Sequence, residues 1–120
     1  MGYFQGFVVP VPEGNKQAYL DMATKTAPFF TEFGAIRTVE CWEESVPDGK
    51  RTDLRRAVAA EPGEKIVFAW VWWPDKGTCD AAAAKMMADA RTQPPANPPF
   101  DMKRMIFAGF ETVHDSGDGG

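Results

Sequence analysis

The stretch Ile66-Val67-Phe68-Ala69-Trp70-Val71-Trp72-Trp73-Pro74-Asp75-Lys76, IVFAWVWWPDK, decides the fold. Eight apolar residues run without a break and stop at a proline. Such a run is too short to cross a bilayer as a helix, which takes roughly 20 residues, and its β-branched and aromatic content reads as a strand over Lys65–Trp73. In a strand, alternate side chains point to opposite faces. Phe68, Trp70 and Trp72 therefore share one face, and Val67, Ala69, Val71 and Trp73 share the other. A sheet with one face in water alternates apolar with polar residues; this segment is apolar on both.

Working outward, YFQGFVVPV (residues 3–11) is a first strand, closed by Pro10, Pro12 and Gly14. From Asn15 the period lengthens: Tyr19, Met22, Ala23, Ala27, Phe30 and Phe33 recur at helical steps until Gly34, an amphipathic helix in which Pro28 predicts a kink or a break before the last turn. IRTVECWEE is a second strand from about Ile36 to Glu44, followed by the turn signal VPDGK. TDLRRAVAA reads as a short helix capped by Thr52, although strand alternation fits it too. After the tryptophan strand, the alanine-rich DKGTCDAAAAKMMADAR is a second main helix. QPPANPPFD is a stiff extended loop, and RMIFAGFETV a last strand, with Ile106, Ala108 and Phe110 opposed to Met105, Phe107 and Gly109.

The order strand, helix, strand, strand, helix, strand is the split βαβ repeat of the α+β class. It predicts a ferredoxin-like antiparallel sheet with two main helices on one face. Burying each large apolar side chain contributes about 1.5–3 kcal/mol, so leaving the second face in water would forfeit an amount comparable to the roughly 5–15 kcal/mol that holds a domain together. The expectation is a homodimer in which two sheets face each other.

A chain of 120 residues is read as one domain, residues 1–113, with 114–120 a flexible polar tail. A net charge of −4 speaks against nucleic acid as the main partner, because such affinity comes from clustered Lys and Arg. The N-terminal residues lack a basic segment followed by a long apolar one, so the expected location is the cytoplasm, with no membrane partner. Cys41, Cys79 and the lone His114 are too few for a zinc site or a disulfide scaffold, and both cysteines are expected as buried or half-buried small side chains. Met86 and Met87 are expected in the core. No nucleophile triad, P-loop or dinucleotide fingerprint is present, and no cofactor is expected.

GFVVPVP followed by NK, GAIRTVECW, VPDGKRTDLRRAV, WWPDK, KMMADAR and PFDMKRMIFAGFE together resemble the DUF1428 family of small bacterial proteins, also called YbaA-like. The resemblance runs from Tyr3 to Glu111 and implies the dimeric α+β barrel fold. It implies no established activity.

A site is expected between sheet and helices. Thr38, Glu40, Trp42 and Glu44 share a face of the second strand, and a carboxylate beside an indole gains pKa and becomes a general base; the alternative is an ion pair of Glu40 with Arg37, Arg55, Arg56 or Arg104. Asp53, Arg55 and Arg56 form either a receptor for an acidic group or a solvated ion-pair network. Trp42 and Trp70 would wall a ligand pocket, with Lys76 and Arg104 as further contacts. Two readings follow: a dimeric module that binds a small acidic or aromatic ligand, or a cofactor-free enzyme of the dimeric α+β barrel type, monooxygenase- or isomerase-like. Association with RNA ranks third.

Overall fold

The tryptophan segment forms a ten-residue central strand, and the rest of the sheet is assembled around it. In the computed structural model, which describes residues 2–117, the chain runs β1 (Tyr3–Pro12), α1 (Lys16–Glu32), β2 (Arg37–Trp42), α2 (Leu54–Ala57), β3 (Glu64–Trp73), α3 (Lys76–Ala88) and β4 (Ile106–Glu111). Short 3₁₀ turns lie at Glu13–Asn15, Ala90–Thr92 and Met102–Arg104. The four strands make one antiparallel sheet in the order β2-β3-β1-β4. In its register Val67 lies opposite Val9 on β1 and Trp42 on β2, and Phe7 on β1 lies opposite Phe107 on β4. Residues 118–120 of the expected tail lie outside the described residues.

The two faces of β3 divide as alternation requires. Val67, Ala69, Val71 and Trp73 are buried, with Val9 and Val11 of β1 and Tyr19 of α1 completing one cluster and Cys79 and Ala82 of α3 completing another. Trp73 adds an indole hydrogen bond to Gln5 Oε1 at 2.8 Å, so its polar atom is satisfied inside the core. On the other face Trp72 stacks on Phe4, Trp70 meets Phe4 edge-on, and Phe68 is 46% exposed. β4 is exposed along its length: Phe110 is 58% exposed on this open side and Phe107 65% exposed on the other.

Several boundaries differ from expectation. β2 stops at Trp42, because the Glu43 carboxylate takes the Ile66 N–H at 2.8 Å that a continuing ladder would give to a main-chain carbonyl. α2 is helical, but Asp53 caps it in place of Thr52: its carboxylate accepts the Arg56 N–H at 2.8 Å and the Gly49 N–H at 3.1 Å. α1 runs through Pro28 to Glu32 without a break. The carbonyl that proline leaves without a partner belongs to Thr24, which is exposed to water. The helix then ends at Gly34, whose φ of 113° suits glycine, and Ala35 N–H closes back on the Phe30 carbonyl at 2.9 Å. Cys79 is buried, but Cys41 is exposed, because it lies on the open face of edge strand β2. Met87 is 82% exposed, on the outer side of α3, and only Met86 of the pair is half-buried.

Candidate functional site

Between α1 and the sheet lies a cleft of about 160 Å³. Its floor is Phe7 and Val9 of β1, Ala69 and Val71 of β3, and Thr38 and Glu40 of β2. Its roof is the face of α1 that carries Tyr19, Met22, Thr26 and Phe30, and the chain after the proline-rich loop supplies Phe100 and Met105. That loop is held in place by Asn15, whose amide donates to the Pro99 carbonyl at 2.9 Å, while Phe100 packs edge-on against Tyr19 with ring centroids 5.7 Å apart.

One polar pair stands in this apolar surround. Tyr19 Oη donates to Glu40 Oε1 at 2.6 Å, joining residues 21 positions apart. Burial pushes the Glu40 carboxyl above the usual carboxylate range, and the Tyr19 hydrogen bond pulls it partly back. Tyr19 is pushed far above the ordinary phenol range, first by burial, then by the Glu40 charge and the shared hydrogen bond. Glu40 as a residue remains exposed at the sheet edge, so the site is a cleft that water reaches and not a sealed cavity. The arrangement holds a carboxylate against aromatic walls with one oxygen occupied by Tyr19.

The expected ion pair between Glu40 and an arginine is absent among the described residues. Arg37 instead lies over Trp70 on the opposite face, 5.7 Å from the ring centroid. Arg55 bonds Glu43 at 3.1 Å and the carbonyls of Glu64 and Glu61 at 2.9 and 3.1 Å. Arg56 bonds Asp53 at 2.9 Å and the carbonyls of Arg51 and Gly49. The backbone N–H groups of Arg56 and Gly49 hold the Asp53 carboxyl down at about 2. Arg104 clasps both oxygens of buried Glu64 at 2.7 Å and reaches Asp101 and the Ala59 carbonyl at 3.0 Å. The guanidinium groups of Arg55, Arg56 and Arg104 thus knit α2, β3 and the turn before β4, away from the cleft.

The other candidates are dispersed too. Trp42 packs beside the Val9 cluster with Lys16 Nζ 5.4 Å from its ring centroid. Trp70 lies on the open face, and Lys76 pairs with Asp80 at 2.6 Å at the start of α3. Of the strand face singled out from sequence, Thr38 and Glu40 line the cleft, and Glu40 is the one candidate catalytic or ligand-binding residue there. Tyr19 was read only as an apolar step of α1; the available signal was a tyrosine on a helix face otherwise apolar, since a buried phenol needs a partner. Among the described residues no three His, Cys, Asp or Glu side chains gather as metal ligands, and no helix is long and apolar enough to cross a membrane.

Residues 2–102 match the family described as "Protein of unknown function (DUF1428)". The chain belongs to the DUF1428 family. It is 54% identical over 116 residues to "Uncharacterized protein YbaA" of Escherichia coli (strain K12), covering 96% of this chain and 99% of that protein. The same figures hold for the protein of that name in Shigella flexneri. The DUF1428 match takes in β1 to α3 and most of the cleft, Phe7 through Phe100, and the longer YbaA alignment extends over nearly the whole chain.

Proposed function

We propose that this DUF1428 protein is a homodimer that holds a small aromatic ligand in the cleft between α1 and the sheet. The observation that carries the binding reading is the aromatic-walled cleft with one oriented polar pair, Tyr19 and Glu40, since ligand sites are apolar hollows with a few placed polar groups. An acidic ligand is disfavoured there, because the one acidic side chain of the lining, Glu40, is accompanied by no lysine or arginine. The strand order and the helices packed on one face support the ferredoxin-like plan, and the apolar open face with its exposed β4 supports two sheets meeting as a dimeric α+β barrel.

The test uses protein labelled at methionine methyl carbons and a set of single-ring aromatic fragments. Binding in the cleft shifts the signals of Met22 and Met105, which line it, and leaves that of exposed Met87 in place. Shifts confined to Met87, or none, would overturn the reading.

A second reading, a cofactor-free enzyme in which Glu40 moves a proton, is supported by the raised carboxyl pKa of that residue. Turnover of a bound fragment, lost in Glu40→Gln with binding kept, separates it from binding alone.

A further inference from the structure

Among the described residues Glu40 has no counter-charge. Its Oε1 accepts from Tyr19, and among the described residues no ion pair reaches it. Lys16, on α1, sits over the Trp42 ring. Thr26, a second polar residue of the cleft, gives its hydroxyl to the Met22 and Ala23 carbonyls at 3.1 and 3.2 Å. The groups left to read a ligand are therefore an anionic acceptor, the Thr38 hydroxyl and the faces of Phe7, Tyr19, Phe30 and Phe100.

That set is complementary to one kind of molecule. An ammonium group donates to the free carboxylate oxygen in a charge-assisted hydrogen bond, and aromatic faces accept the same positive charge. A carboxylate ligand meets like charge, and a neutral hydrocarbon leaves the Glu40 charge unanswered. Size suits one ring: about 160 Å³ is close to the ~150 Å³ apolar cavity that holds one benzene ring, so one ring fills the cleft with a short chain towards its open side.

Resting on the ligand-binding reading above, we propose that the ligand is a small protonated arylalkylamine, its ammonium on Glu40 and its ring among the aromatic walls. The experiment titrates methionine-methyl-labelled protein with three probes of one ring: 2-phenylethylamine, 2-phenylethanol and 3-phenylpropanoate. The expected result is shifts at Met22 and Met105, with the amine at least about tenfold tighter than the alcohol, as a charge-assisted hydrogen bond gives, and the acid weakest. In Glu40→Gln the amine falls to the level of the alcohol, whereas Tyr19→Phe keeps the preference because the charge remains. If the alcohol binds in the cleft as tightly as the amine, or if the preference survives Glu40→Gln, the amine assignment is overturned while the cleft reading stands. If none of the probes moves Met22 or Met105, both fall. The wild-type comparison of amine and alcohol decides the matter even if a variant fails to fold.

Discussion

Glu40 is a carboxylate held where folding does not favour its charge. Its carboxyl pKa is raised in the folded chain by burial, so the folded state binds the proton more tightly than the unfolded state does. Below the ordinary glutamate value of roughly 4.3 both states are protonated and nothing is lost; as pH rises from there through the raised value, stability falls. Glu40→Gln keeps an acceptor for Tyr19 and removes the charge. Thermal melts should show the variant equal to wild type in acid and as stable or more stable at neutral pH; a clearly lower melting point at neutral pH would refute this. A residue that gains nothing for stability by being ionised fits a binding or catalytic role better than a structural one. Asp53 shows the opposite sign, its contribution present above the ordinary aspartate range and lost as pH falls towards about 2. That it caps α2 was hard to read, because Thr52 and Asp53 are both good caps and only the structure fixes which backbone N–H lies in reach. The Tyr19–Glu40 pair was half legible: Glu40 stood out as a carboxylate beside the Trp42 indole on one strand face, but its partner lies on another element, and pairing across elements leaves no mark in local spacing.

β3 carries two tasks on its two faces, and alternation alone made that visible. Trp73 is 1% exposed beneath the helices, and Trp73→Ala should cost about 3–5 kcal/mol, read from denaturant unfolding. Phe68, five residues away on the open face, holds no place in that core. Phe68→Asp should leave the chain folded, with an unchanged circular dichroism spectrum, and split the dimer. Unfolding by Phe68→Asp, or little effect from Trp73→Ala, would mean that the faces are assigned the wrong way round. The four strands and the two long helices were legible because each keeps its period over several turns or pleats, whereas α2, a single turn, fitted either period. The ends were not legible: β2 yields to a side-chain acceptor from Glu43, and α1 passes Pro28, four residues after the exposed Thr24, and runs on to Glu32.

At the scale of the whole molecule, the sheet packs one face against its helices and leaves the second open. The covered face frames the cleft, and the order β2-β3-β1-β4 places Glu40 on an edge strand, where it is open to solvent. The open face leaves Phe68 46%, Ile106 45% and Phe110 58% exposed, an apolar surface across β3, β1 and β4 on which the proposed dimer rests. The cluster beside α2, which from sequence was either a receptor or an ion-pair network, is already paired: Arg55 bonds Glu43 and the carbonyls of Glu61 and Glu64, and Asp53 and Arg56 bond each other and the loop at Gly49 and Arg51. Charge clusters read along the chain show which residues are near each other, and not which are already paired.

The claim on which the account turns is that the tryptophan strand is apolar on both faces because a second copy of the chain covers one of them. Native mass spectrometry of the wild-type protein at micromolar concentration tests it in one step. The account predicts an ion of twice the chain mass as the main species. A chain that stays monomeric under those conditions, with its open face in water, would contradict it.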